Sequence, residues 1–225
     1  FESKIYIADG HHRYEAGLRH LSNIRSKREI NYDESINYRM VQLISMNEPG
    51  LITRSYHRYV KLRSLEIEYI SNQIKSNQNI TKYNSSYEFS NKKFTEEFYK
   101  EICQQLNFKN IHFGIILKKD NYINSYIYSK DNKNNINDYN FIHESFLNDT
   151  FESISNENIM FETDLNEIKN ILNSEGNYII LLMRPIPMDT FLSAVNSGDR
   201  LPPKVTNFLP KPPAGLVFQS LEGNI

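Results

Sequence analysis

The chain has 225 residues, with 26 lysines and arginines against 27 aspartates and glutamates, so its formal net charge is −1. This balance excludes an overall basic field of the kind that attracts nucleic acid, so nucleic acid is not expected as a partner. Apolar residues make up 39% of the chain, and 15 tyrosines and 13 phenylalanines supply enough apolar surface for a core. The composition therefore indicates a globular protein.

The single cysteine and the short apolar runs indicate the cellular compartment. Cys103 has no second cysteine with which to form a disulfide, which favours a reducing cytoplasm. The longest apolar run, residues 178–183, is far shorter than the roughly 20 residues that cross a membrane. We therefore expect a cytoplasmic protein without a membrane partner.

Helical and strand-like patterns alternate along the chain. In chain order they predict strand 4–8, helix 14–21, strands 38–46 and 51–62, helices 64–78 and 94–106, strands 111–117 and 122–128, helices 142–151 and 164–172, strand 177–183 and a helix from 185 to 195. Residues 47–50 read as a turn, and residues 118–121 join two strands into a hairpin. Together these elements predict a mixed α+β fold.

Two features mark the end of the chain. Gly198 stands where the C-terminal cap of the last helix belongs. Residues 201–216 (LPPKVTNFLPKPPAGL) contain five prolines, which excludes a regular helix and predicts a rigid, extended tail.

The run IADGHHRYEAG, between the first predicted strand and helix, concentrates groups that bind anions and move protons. Gly10 allows a ligand to approach a turn whose helix N-terminus leaves backbone N–H groups free. Arg13 can bind phosphate or carboxylate through two N–H groups. His11 and His12 can donate hydrogen bonds or shuttle protons near neutral pH, and Asp9 can hold a histidine tautomer or a metal ion. The run is typical of a phosphate-binding loop.

Two other interpretations of the same residues remain open. Asp9 can be an ordinary helix N-cap, with the histidines on the surface. The histidines can also belong to a metal centre, although adjacent histidines point to different sides of a turn or helix.

Four ordered motifs resemble the family catalogued as domain of unknown function 1015. Its patterns ADGHHRYETAL, DPGL followed by PTHR, LHE and MPPKSTYFYPK are similar to segments of this chain. The matching segments are IADGHHRYEAG, EPGL followed by SYHR, FIHE and LPPKVTNFLPK. The chain departs from the family at Ala16 and Gly17, which replace Thr-Ala, and at Val205, where the family has serine. The lost hydroxyl puts full activity in question.

The resemblance implies a wider kinship with the ParB/sulfiredoxin group, in which a strand–loop–helix binds nucleotide phosphates. That group contains CTP-binding partition proteins, sulfiredoxins and free serine kinases. On this basis residues 1–62 are expected to be the C-terminal part of a ParB/sulfiredoxin-like nucleotide-binding core. Residues 63–183 are expected to be an additional α+β region, and residues 184–225 a helix and a tail that returns to the site. Since the chain starts at Phe1 and the first motif lies near the middle of such proteins, an N-terminal half is expected to precede it. The chain alone is then expected to have little activity.

The residues and the resemblance together give a candidate site. The expected catalytic residues are Asp9, His11 and His12, and the expected phosphate or nucleotide ligands are Gly10, Arg13, His57, Arg58, Lys204 and Lys211. Further candidates are His143, Glu144 and Thr206, and no metal ligand is assigned. The loop at 9–13, the pair at 57–58 and the tail at 204–211 are expected to converge on one pocket.

Three functions are consistent with these residues and with the resemblance. The first is nucleotide-dependent phosphoryl transfer to or from a small hydroxyl metabolite, with serine or phosphoserine as the first candidate and ADP or ATP with Mg²⁺ as the suggested cofactor. The second is a nucleotide-binding regulatory module of the ParB type, although no helix-turn-helix pattern or basic face is present. The third is a metal-dependent hydrolase built on Asp9, His11 and His143. The sequence does not define the oligomeric state.

Overall fold

A computed structural model describes residues 4–83, 94–104, 110–132, 138–142, 146–147, 158–198, 201–202, 204–213 and 215–225. The helices are α1 (His11–Arg25), α2 (Ser64–Ser76), α3 (Phe94–Gln104), α4 (Asp138–Phe141), α5 (Leu165–Asn173) and α6 (Met188–Ser197). The strands are β1 (Ile52–Arg54), β2 (His57–Leu62), β3 (Ile80–Lys82), β4 (Asn110–Lys119), β5 (Tyr122–Asp131), β6 (Met160–Glu162), β7 (Asn177–Leu182) and β8 (Asn207–Leu209). The mixed α+β class predicted from the sequence is confirmed.

The chain forms two compact units. The first unit contains Phe1–Ile52 and Phe208–Ile225, and the second contains Thr53–Asn207. Among the described helices, none combines the length and the apolar character needed to cross a membrane. The division into residues 1–62, 63–183 and 184–225 remains a prediction.

The second unit is built on a six-stranded antiparallel sheet with the order β3-β5-β4-β7-β2-β6. The hairpin of β4 and β5 turns at Asp120, whose φ is 52°. Asp tolerates this left-handed conformation better than most residues, which suits a two-residue turn. The sequence predicted this hairpin, and the structure confirms it.

Helices cover both faces of this sheet. On one face α3 and α5 pack on the strands and bury a cluster of apolar side chains: Phe98, Ile102, Ile116, Ile168, Leu172, Tyr178, Ile180 and Leu182. The alternate residues of β4 and β7, among them Ile115 and Ile179, are also buried, as are Ile67, Ile70 and Ile74 of α2. Since side chains alternate along a strand, the sheet is a buried middle layer.

The first unit buries much less. Helix α1 has no buried residue, and Gly17 in its middle receives a hydrogen bond from Arg39 Nη2 at 3.2 Å. A Cβ on Gly17 would lie 2.5 Å from Arg39 Nε, so the glycine makes room for the arginine. The C-terminal residues return to the same unit, where Ser35 N donates to Gly223 O at 2.8 Å and Ile225 N donates to Asp33 O at 2.8 Å.

Most predicted helices are confirmed. Helices α1, α2, α3 and α5 lie where the 3.6-residue pattern placed them, although α1 begins three residues earlier, at His11. Helix α6 begins at Met188 and not at residue 185, because the proline-rich stretch stays extended up to the N-cap Pro187. Gly198 caps this helix with φ 80°, as predicted. Of the predicted helix at 142–151, most residues lie outside the described part of the chain.

Two predicted strands are wrong and a third is divided. Residues 4–8 and 38–45 are irregular and pair with no strand in the described part of the chain. A short, mostly apolar stretch favours extended backbone, but a strand also needs a partner for its hydrogen bonds. The predicted strand at 51–62 is broken at Ser55 and Tyr56 into β1, which pairs with β8, and β2 of the large sheet.

Candidate functional site

The loop before α1 leaves a helix N-terminus open. Gly10 is the N-cap residue, with φ 81° and ψ 22°, and no side chain caps the helix. The first intrahelical bond runs from Tyr14 N to Gly10 O at 2.9 Å. The N–H groups of the preceding first turn therefore have no helical acceptor and can bind an anion.

The charge of Arg13 in this first turn opposes the helix dipole. The turn has no acidic residue, and His11, His12 and Arg13 are all exposed. Basic groups near the positive end of a helix destabilise it, whereas an anion bound there stabilises it. His12 Nδ1 lies 4.0 Å from Glu15 Oε2, but both side chains are exposed, so this contact contributes little. This arrangement is unfavourable for folding and favourable for anion binding.

Gly10 and Arg13 are in close contact. A Cβ on Gly10 would lie 3.1 Å from Arg13 Nη2 and 3.3 Å from Arg13 Nε. The guanidinium thus folds back toward the N-cap residue. Glycine serves two purposes here, since it adopts the positive φ and leaves space for the arginine.

Asp9 and Lys211 add a charge of each sign to this loop. Asp9 Oδ2 lies 3.9 Å from Lys211 Nζ, and their side chains are 47% and 45% exposed. At this distance and exposure the pair is weakly bound, so either group can turn to a ligand. The first unit thus brings together five predicted site positions, Asp9 to Arg13, with a sixth at Lys211.

His57 of the second unit lies in the core. Its Nδ1 accepts a hydrogen bond from Met183 N at 3.1 Å, and its ring packs edge-on against Tyr99 with 5.1 Å between centroids. Burial, and to a lesser extent the charge of Arg58, lowers the pKa of His57 to about 3. The ring is therefore neutral at physiological pH, and a phosphate role would require it to leave the core.

Arg58 is also buried, with 1% of its surface exposed. Its Nη1 donates to Tyr56 O, its Nη2 donates to Lys204 O at 3.1 Å, and its guanidinium lies 4.6 Å from the centroid of the Tyr139 ring. Burial lowers the pKa of Arg58 to about 10, so the guanidinium stays charged at neutral pH. In this structure it contacts backbone and aromatic rings from within the unit.

The remaining predicted residues are placed as follows. Lys204 is exposed and belongs to the second unit, with its carbonyl bound to Arg58. Thr206 is partly buried in the same segment. His143 and Glu144 lie outside the described residues. The expected convergence of all three motifs on one pocket involves both units, and it remains a prediction.

Sequence reasoning missed a buried polar network in the second unit. Arg184 Nη2 lies 2.8 Å from Asp138 Oδ2, with 1% and 3% of the two side chains exposed. Asp138 Oδ1 also accepts a hydrogen bond from His112 N, and Tyr139 Oη donates to Arg184 O. The available signal was an arginine two residues after the apolar strand β7, where a charged residue needs a buried partner.

Burial also shifts the pKa values of this network. Burial, followed by the charge of Arg184, lowers the pKa of His112 to about 4. Burial raises the pKa of Asp138 more than Arg184 lowers it. His112 Nε2 and Asn207 Oδ1 are buried without a hydrogen-bond partner among the described residues.

The metal interpretation depends on oxygen and nitrogen ligands. Among the described residues there is no group of three His, Cys, Asp or Glu side chains that could hold a metal ion. Mg²⁺ in nucleotide sites usually takes one or two carboxylates and completes its shell with phosphates and water. Asp9 fits the role of such a single carboxylate.

The comparisons with known proteins give one family. The family described as protein of unknown function (DUF1015) matches residues 1–148 of the chain. The searches of curated proteins and of solved structures found no match.

Proposed function

This chain belongs to the family of proteins of unknown function DUF1015, and we propose that it takes part in nucleotide-dependent phosphoryl transfer to or from a small hydroxyl metabolite. The nucleotide phosphates would bind at residues 9–13. The observation that carries this proposal is the uncapped N-terminus of α1, with a left-handed Gly10 and three basic residues in the first turn. The likeness of this loop to ParB/sulfiredoxin phosphate loops supports it, and kinship with that group is part of the proposal.

The chemistry assigns a role to each group of the loop. In the transfer direction, the hydroxyl oxygen bonds to the terminal phosphorus of the nucleotide, the bond to the bridging oxygen breaks, and the shortened nucleotide leaves. The free N–H groups, Arg13 and Lys211 would neutralise phosphate charge as it moves to the bridging oxygen. His12 and Asp9 are the candidates to accept the hydroxyl proton, and Asp9 is also the candidate ligand of a nucleotide-bound Mg²⁺ ion. That ion would supply charge neutralisation at the phosphates.

The proposal includes a substrate and a compartment. Serine or phosphoserine is the first candidate for the metabolite, through the resemblance to free serine kinases, and ADP or ATP is the proposed nucleotide. A cytoplasmic location follows from the lone Cys103 and remains part of the proposal.

Isothermal titration of the full-length protein with ADP, ATP, CTP, serine and Mg²⁺ tests the proposal. We expect an adenine nucleotide to bind, and serine to be phosphorylated in a ³¹P NMR assay. Arg13→Ala should weaken nucleotide binding by about ten- to a hundredfold, because a charge-assisted, two-point contact contributes about 1.5–3 kcal/mol.

The matched control is Arg19→Ala, which removes an exposed arginine farther along the same helix and should leave the affinity unchanged. Equal nucleotide affinity in the wild type and Arg13→Ala would refute the phosphate role of the loop. Binding of CTP together with DNA, without phosphorylation, would favour the regulatory module.

A further inference from the structure

Lys204 has an unusual backbone conformation. Its φ is 57°, and among the described residues other than glycine only Asp120 shares a positive φ. Asp120 lies in the tight turn of the β4–β5 hairpin, where such angles are ordinary. Lys204 lies in the irregular segment before β8, and lysine seldom adopts this conformation unless its surroundings hold it there.

Arg58 binds the backbone of Lys204. Its Nη2 donates to Lys204 O at 3.1 Å. The guanidinium itself is restrained, because Arg58 is 1% exposed and its guanidinium carbon lies 4.6 Å and 5.4 Å from the ring centroids of Tyr139 and Phe161. The neighbouring Val205 is also buried, at 3% exposure. The carbonyl group of Lys204 is thus bound to a residue of the six-stranded sheet.

Tyr56 restrains the other end of the same residue. Lys204 Nζ lies 5.1 Å from the centroid of the Tyr56 ring, within the range of a cation–π contact. The carbonyl of Tyr56 in turn accepts a hydrogen bond from Arg58 Nη1. Backbone and ammonium group of Lys204 are therefore both held, although the side chain remains exposed to solvent.

We infer that Lys204 is a prepositioned cation for an anionic ligand, and that Arg58 and Tyr56 are its positioning residues. A free lysine loses side-chain entropy when it binds an anion, and ordering it beforehand lowers that cost. Arg58 then acts through Lys204 and does not touch the ligand. The assignment of phosphate as the ligand rests on the proposed function; the positioning does not.

NMR spectroscopy of the full-length protein with ¹³C-dimethylated lysines tests the positioning directly. Dimethylation keeps the charge, and Lys204→Gly identifies the Lys204 signal, since glycine accepts the positive φ. The ring of Tyr56 should shift the Lys204 methyl signal upfield of the signal of Lys27, an exposed lysine of the first unit. Tyr56→Leu and Arg58→Met should each move the Lys204 signal toward that of Lys27.

The two substitutions are used together because they differ in their expected effect on folding. Because Arg58 is buried, Arg58→Met has the greater effect on folding, whereas Tyr56→Leu leaves Arg58 in place. A Lys204 signal that coincides with that of Lys27 in the wild type, or that Tyr56→Leu leaves unshifted, would overturn the inference.

A titration with inorganic tripolyphosphate separates the inference from the proposed function. If Lys204 binds phosphate, its signal should move on titration, and Arg58→Lys should weaken the affinity about tenfold, a change of about 1.4 kcal/mol. A Lys204 signal that lies upfield of that of Lys27 but does not move on titration with tripolyphosphate would confirm the positioning and reject phosphate as the ligand.

Discussion

The same dipeptide, His-Arg, occurs in both units and has opposite surroundings. His12 and Arg13 of the first unit are exposed at the N-terminus of α1. His57 and Arg58 of the second unit are each 1% exposed at the start of β2. The difference comes from the neighbours in space, since β2 lies between β7 and β6 within the six-stranded sheet.

Two ion pairs repeat this contrast. Asp9 and Lys211 of the first unit are 3.9 Å apart and about half exposed, whereas Asp138 and Arg184 of the second unit are 2.8 Å apart and almost fully buried. Exposed charges are available to a ligand and contribute little to folding. Buried ones are bound to partners, and their loss is costly. The polar residues of the first unit therefore suit binding, and those of the second suit structure and positioning.

The largest expected effect is at the buried ion pair. Asp138→Ala should lower the free energy of unfolding by about 3–5 kcal/mol, because it leaves the Arg184 guanidinium buried without its carboxylate. The matched change Asp9→Ala should alter it by less than about 0.5 kcal/mol. Urea denaturation followed by tyrosine fluorescence measures both values. Equal effects of the two substitutions would contradict the contrast between the units.

A pH profile tests whether burial holds His57 neutral. In the unfolded chain His57 takes up a proton near its ordinary pKa of 6.5, whereas in the folded protein it does so only near pH 3. Between these values the unfolded state binds more protons, so the free energy of unfolding should fall as the pH falls from about 6.5 toward 3. The slope contributed by His57 approaches about 1.4 kcal/mol per pH unit.

His57→Asn should flatten that slope, since asparagine keeps an acceptor for Met183 N but does not titrate. Denaturation series between pH 4 and 7 provide the measurement. An unaltered slope in His57→Asn would mean that His57 is not held neutral by burial.

The sequence predicts the elements whose signals are local. The helical spacing of Ile67, Ile70 and Ile74 predicts α2, and all three side chains are buried. The turn residues at 118–121 predict the β4–β5 hairpin. Residues 4–8 and 38–46 show the limit of such signals, because a strand-like composition predicts an extended backbone without identifying a strand that pairs with it.

The candidate site likewise contains one feature that the local sequence predicts and one that it does not. The open helix N-terminus at Gly10 follows from a glycine before a helical pattern, which neighbouring residues alone determine. The burial of Arg58 depends on Tyr139, Phe161 and the carbonyl of Lys204, all distant in sequence. Without those contacts, an arginine beside a histidine is interpreted as a ligand residue on the surface. No sequence pattern identifies Tyr56 as a positioning residue.

The smallest expected effect distinguishes two glycines with nearly the same backbone. Gly10 has φ 81° and Gly198 has φ 80°, so alanine at either position should cost about 1 kcal/mol of local stability through its left-handed conformation. Their surroundings differ, because a Cβ on Gly10 would lie 3.1 Å from Arg13 Nη2, whereas a Cβ on Gly198 meets nothing within 4 Å. Gly10→Ala should therefore displace the guanidinium and weaken phosphate binding by roughly fivefold, about 1 kcal/mol, while Gly198→Ala leaves it unchanged. Isothermal titration with the nucleotide that the wild type binds measures both affinities. If the two variants lose affinity equally, the loss reflects general destabilisation, and the contact between Gly10 and Arg13 has no part in binding.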